Sequence, residues 1–236
     1  HPVEVATEPL QQGTRQDGST FAVPAAKLSL AWQGPSLDHP DATALDLAAT
    51  ILGSGRSSRL YQELREKREL CLHVGAWSYL PCHAPGMIAV SAELEPEQIP
   101  AMEQAVHAEI ERLLGDSLDV ELEKAKRMTL SNQFQTLTTA SGRASDLASN
   151  WHETRNLDFT RDYLANVEAV SIGDIRRVVK TWLTSEQTLS RVVMYPEGYE
   201  KPEEKQAGGV GDHAGIDELE LSNGLQVKVR QDPKVP

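Results

Sequence analysis

The sequence predicts an α+β fold: a two-layer sandwich in which a mainly antiparallel sheet packs against helices. Three observations carry this expectation. The elements read from the chain cluster (strand, two helices, two strands, several helices, one strand) instead of alternating. Two alternating runs, at 70–77 and 88–94, flank the turn stretch PCHAPG and pair most simply as an antiparallel hairpin. Between 96 and 182 apolar residues recur at helical spacing.

Residues 1–18 mix Pro, Gly, Gln and Thr and read as an extended lead-in from a preceding domain. With His rather than Met at position 1, the expectation is a fragment whose start lies upstream. An α+β domain is expected over 19–196. Its first strand, Lys27 to Gln33, turns Leu28, Leu30 and Trp32 to one face. The stretch DHPDATALDLAATILGSG predicts a helix opened by Asp38 or His39, with Pro40 in its first turn. Leu45, Ala49 and Leu52 line one side, and Gly53 stops it. Ser57 or Ser58 then caps a second helix through Leu60, Leu64 and Lys67.

In the hairpin, Leu70, Leu72, Val74 and Ala76 alternate with Cys71, His73, Gly75 and Trp77; Ile88, Val90, Ala92 and Leu94 return. Pro96 starts a long amphipathic helix with the stripe Ile99, Met102, Val106, Ile110 and Leu113. Leu118 to about Val170 is helical with short breaks. Ser171 and Asp174 form a capping box before a helix lined by Ile175, Val178, Val179 and Trp182. Gln187 to Tyr195 closes the domain as a strand. Residues 197–216, charged and glycine-rich, read as a linker. From 217 to 236, alternation on both sides of Asn223-Gly224 predicts a hairpin with a two-residue turn. Two strands alone are marginal in water, so this hairpin reads as the truncated start of a following domain.

Composition limits the function. The chain has 236 residues, 39% hydrophobic and 25% charged, with a formal charge of −12. So acidic a chain is not expected to take a nucleic-acid backbone as partner, which calls for basic patches that release counterions. No apolar run approaches the ~20 residues that span a bilayer. Cys71 and Cys82 are too sparse for a disulfide scaffold, and whether they bridge stays open.

Local motifs exclude more than they reveal. Gly53-Ser-Gly55-Arg-Ser-Ser58 lacks the Lys of a Walker loop and the third Gly of a dinucleotide fingerprint. Cys71, His73, Cys82 and His83 are zinc-binding types within thirteen residues, yet the ten-residue gap before Cys82 is not a usual structural-zinc spacing. A strand face plus a polar hairpin is the simpler reading. The seven histidines offer neither His-x-x-Glu-His nor His-Glu-x-x-His. His107 and Glu109 are two apart and diverge on a helix, and Arg155 stands where His152 would need a second ligand. Arg56, Arg59, Arg65, Lys67 and Arg68 cluster within thirteen residues. Glu63, Glu66 and Glu69 balance them as a solvated helix face, the alternative being recognition of a carboxylate.

ATILGSGRSSRLYQELREKRELCLHVGA, GMIAVSAELEPEQIPAMEQAVHAEIERL, VELEKAKRMTLSNQFQ and YLANVEAVSIGDIRRVVKTWLT, in this order, resemble the second domain of the pitrilysin/insulinase family of zinc metallopeptidases. The closing LSNGLQVKVRQDPKVP resembles the first hairpin of that family's next half. The resemblance implies α+β domains arranged as two halves around a chamber. It places zinc on a His-x-x-Glu-His helix in the parent's first domain, and none in this segment. In the last domain of active members, an Arg in Leu-Arg-x-Lys and a Tyr seven residues later help hold substrate. Leu64-Arg65-Glu66-Lys67 matches the Arg half, so Arg65 is the candidate substrate-binding residue; the Tyr position is Leu72, preceded by Cys71 where Gly is usual.

The function so implied is a non-catalytic, chamber-forming domain of a larger zinc metalloendopeptidase, inactive alone. Its partners would be the other domains of its polypeptide and peptide substrates. Bacterial relatives imply a periplasmic or secreted location. The alternative is an inactive scaffold or partner subunit of the same family.

Overall fold

The computed structural model describes residues 11–200, together with the backbone of 216–220 and 226–230. A five-stranded sheet is formed by β1 (Arg15–Phe21), β2 (Ala26–Gly34), β3 (His73–Tyr79), β4 (Gly86–Leu94) and β5 (Leu189–Pro196), in the order β1-β5-β2-β4-β3. All neighbours are antiparallel except β1 and β5. The sheet is therefore mixed but mainly antiparallel. From Arg15 onward the lead-in joins it as an edge strand, which its exposed, non-alternating side chains do not announce.

Helix α1 (Ala42–Gly53) lies on β3 and β4, with α3, α5 and α6 also against it. It is buried nearly all round: Ala44, Leu45, Leu47, Ala48, Ala49, Ile51 and Leu52 are all in the core. The helix starts later than Asp38, His39 and Pro40 lead one to expect, because Asp41 is its N-cap. The Asp41 side chain makes no cap bond, its oxygens being taken by other elements. At the far end Gly53 is obligatory. A Cβ there would lie 1.8 Å from the backbone nitrogen of Ala76 on β3.

The second helix is a π-helical segment, Tyr61–Lys67, with Leu64 buried and no side-chain cap from Ser57 or Ser58. It ends where Glu69 enters the left-handed region (φ 50°) and the Leu70 N–H closes on the Leu64 carbonyl at 2.8 Å. That reversal consumes residues 70–72, so β3 begins at His73 instead of Leu70. The β3–β4 hairpin pairs His73 with Glu93 and Tyr79 with Met87.

After a short turn at Pro96–Gln98, α2 (Ile99–Gly115) buries the whole stripe Ile99, Met102, Val106, Ile110 and Leu113. Helices α3 (Asp119–Leu137), α4 (Ala140–Thr154) and α5 (Phe159–Ala169) follow. The Ser171–Asp174 capping box is formed in full at α6 (Ile172–Val178), which continues as a π-helical turn, Val179–Leu183. Burial of Leu28, Leu30 and Trp32 from β2 and of Ile88, Val90 and Leu94 from β4 places the core between sheet and helices.

The C-terminal strands β6 (Ile216–Glu220) and β7 (Gln226–Arg230) pair antiparallel. Glu220 faces Gln226, whereas a bare two-residue Asn223-Gly224 turn would pair it with Val227. The connection, residues 221–225, lies outside the described residues.

Candidate functional site

One face of the sheet meets the helices; the other faces solvent among the described residues. Strand alternation builds it. Lys27, Ser29, Ala31 and Gln33 of β2 point away from the helices, since their neighbours Leu28, Leu30 and Trp32 are buried. Across the strands, Val192, Ser29, Ser91 and Gly75 form one row, and Met194, Lys27, Glu93 and His73 the next. These residues line a shallow groove of about 380 Å³. Small side chains occupy much of it; Val192 ends one row, and Trp77, Tyr79 and Met87, also large and exposed, lie further along β3 and β4. The Trp77 indole reaches the Ser91 hydroxyl at 3.5 Å.

Arg65 sits beside the start of β3. Its Nε donates to the backbone carbonyl of Leu72 at 2.8 Å, and Nη1 donates to Glu66 at 2.8 Å and to the Tyr61 hydroxyl. The guanidinium carbon stands 4.8 Å from the centre of the Tyr61 ring. Where the resemblance calls for a tyrosine, the Leu72 side chain points out to solvent and its carbonyl takes the arginine. The aromatic neighbour of Arg65 is thus Tyr61, one turn upstream.

The rest of the basic cluster disperses. Arg59 is not solvated: its side chain is 9% exposed and makes a two-point contact with Glu121 at 2.8 and 2.7 Å, plus Asp116 at 3.1 Å. It ties the π-helical segment to α2 and α3. Lys67 pairs with Glu63 one turn away. Nothing in the spacing marks Arg59 as different from Arg56, because its partners lie some sixty residues on.

A second polar centre was not legible in the chain. Asp41 receives Trp182 Nε1 at 2.9 Å and Arg177 Nη1 at 2.5 Å. Burial pushes its carboxyl up, but the bonds from Trp182 and Arg177 outweigh this and hold it below the usual range. Nearby, the Tyr163 hydroxyl donates to Asp46 at 2.5 Å. Burial first, then the Asp46 charge, push the phenol well above its ordinary value. Tyr163, Asp46 and Arg177 line a cleft of about 600 Å³ between the start of α1, α5 and α6.

Cys71, buried, and Cys82 are both free thiols, and burial pushes each of them up. Cys71, His73, Cys82 and His83 do not converge. Among the described residues, no three His, Cys, Asp or Glu side chains are placed to hold a metal ion. No helix there is long and apolar enough to cross a membrane.

By fold, the chain is like peptidase structures. It aligns over 83% of its length with 47% of a protease from Helicobacter pylori (24% identity, TM-score 0.72). It aligns over 85% with 48% of a peptidase M16 inactive domain structure from Pseudomonas fluorescens (21% identity, TM-score 0.72). An inactive peptidase domain from Bordetella parapertussis is matched over 98% of its own length (24% identity, TM-score 0.67). Sequence then gives the family. The model of the Peptidase M16 inactive domain matches residues 2–129, and the chain belongs to that family. Curated relatives agree: a zinc protease described as uncharacterized from Streptomyces coelicolor is 29% identical over 152 residues, and the zinc protease PqqE of Helicobacter pylori 23% over 193. The chain spans 32% and 42% of their lengths. It is a non-catalytic domain of zinc-protease-like proteins.

Proposed function

We propose that this domain forms part of the wall of a substrate-enclosing chamber in a larger zinc metalloendopeptidase. The carrying observation is the solvent-facing side of the sheet, with a small-residue floor at Ser29, Ser91 and Gly75 and exposed Trp77, Tyr79 and Met87 further along β3 and β4. Large hydrophobic residues exposed together on one face mark binding surfaces on soluble domains, and aromatic side chains supply contact area at low entropic cost. A peptide held there is confined and oriented for chemistry supplied elsewhere.

Zinc and its general base belong, on this reading, to a preceding domain. This domain is assigned no catalytic step of its own. The lead-in from that domain, read from the sequence as 1–18, gives way to the wall domain at Arg15, where β1 joins the sheet; the wall domain runs to 196, 197–216 are a linker, and 217–236 are the start of the following domain. Arg65, partly exposed beside β3, is assigned a contact with bound peptide.

Photo-crosslinking in the full-length polypeptide tests this. A photoreactive residue replacing Ser91 should capture a peptide substrate, and one replacing Arg161, exposed on α5, should not. Equal capture at both sites, or none at Ser91, would overturn the reading.

A further inference from the structure

Helix α4 is built inside out. Its inward side carries Gly142, Asp146 and Asn150, and its solvent side carries Ala140, Ala144, Leu147, Ala148 and Trp151. The polar side is fully engaged. Asp146 accepts from Gln133 of α3 at 2.9 Å and from Thr160 of α5 at 2.7 Å, and the Asn150 amide donates to Thr160 at 2.8 Å. The start of α4 is pressed so close to α3 that a Cβ on Gly142 would lie 1.8 Å from the Thr136 carbonyl oxygen. Rotating α4 to hide its apolar stripe would break this network and create that clash. The outward orientation of Leu147, 48% exposed, and Trp151, 51% exposed, is therefore fixed by the fold.

A helix of this composition normally turns its apolar stripe inward. A stripe held outward and ending on a tryptophan, with the Arg155 guanidinium 5.7 Å from its ring centre, has the make-up of an interface with an aromatic anchor. We propose that the α4 stripe docks against an apolar surface of another domain of the same polypeptide. Two observations select that occupant. The chain spans only 42% of the Helicobacter pylori zinc protease and 47–48% of two matched structures, so such proteins carry a second body of comparable size. A tethered body is present at high effective concentration. A second copy of this chain would instead bring two bodies of formal charge −12 together. The inference rests on the chain being part of a longer polypeptide, and not on the peptidase reading.

The test uses the full-length polypeptide with Ala148→Cys or, as control, Arg161→Cys on the exposed side of α5. Maleimide labelling is followed at each site by mass spectrometry of the derived peptides. Labelling at position 148 should be at least tenfold slower than at 161 in native buffer, equal to it in denaturant, and unchanged by dilution. Adding Trp151→Ser should restore fast labelling at 148 with the circular dichroism unchanged. Equal native rates would overturn the proposal, as would protection that vanishes on dilution, which indicates a second copy. Peptide cleavage assayed on the same samples reports separately on the chamber reading.

Discussion

The indole nitrogen of Trp182 donates to the buried carboxylate of Asp41 at 2.9 Å, joining the end of the helical layer to the start of α1. Arg177, one turn earlier in that layer, grips the other oxygen of the same carboxylate. Asp41 thus replaces the cap bond it does not make with bonds from another helix.

The first prediction concerns this carboxylate. Its folded-state pKa is depressed, so it contributes stability that is present above the ordinary value of 3.8 and is lost as pH falls through the lower folded value. Asp41→Asn should cost about 1–3 kcal/mol at pH 7, because it weakens two charge-assisted bonds in a buried site. It should also flatten the loss of stability below about pH 4. Urea unfolding at pH 7 and pH 3 measures both, and an unaltered acid limb would remove Asp41 from the account.

Tyr163 gives the opposite limb. Its phenol is raised in the fold, so the unfolded chain ionises first, near pH 10, and stability falls as pH rises beyond that. Tyr163→Phe should cost about 1–2 kcal/mol at pH 7 through the lost bond to Asp46. The same variant should lessen the alkaline decline, as read by thermal melts between pH 8 and 11.

Gly53 and Gly115 separate close approach from helix-end propensity. Gly53→Ala drives a methyl into the backbone of Ala76, so α1 must lift from β3, at a cost of about 3 kcal/mol. Gly115→Ala meets nothing within 4 Å and should change stability by about 0.5 kcal/mol or less. Similar midpoints for the two variants in urea would contradict the packing argument.

Arg65→Lys tests the assigned peptide contact. Lysine keeps the charge but loses the fork that holds the Leu72 carbonyl and Tyr61 together. If the full-length polypeptide cleaves peptides as proposed, its KM should rise about three- to tenfold, with kcat nearly unchanged and a stability loss of about 1 kcal/mol. A stability loss with no change in KM would confine Arg65 to closing the turn before β3.

Much of the fold was legible because it follows from local periodicity. The stripe of α2 needs only the 3.6-residue repeat, and the Ser171–Asp174 box only a three-residue offset. The β3–β4 hairpin was clear for the same reason. Missed features depend on distant residues. Arg59 and Arg56 look alike in the chain, and what buries Arg59 is Glu121 on α3. Strand β1 carries no apolar alternation because it is an exposed edge paired only with β5.

The sequence by itself determined the class of fold, the family resemblance and the lack of a His-x-x-Glu-His helix. Each is written in short-range pattern or residue identity. Tertiary structure alone decided which surfaces stay open. Alternation in β2 separates Ser29 from Leu30, but only the helices packed on one side decide that Leu30 is core and Ser29 is floor. Likewise α4 is amphipathic in sequence, yet the bonds of Asp146 and Asn150 to α3 and α5 turn its polar side inward. Propensity and period set which residues share a face. Which face is buried depends on contacts between residues far apart in the chain, and those exist only once it has folded.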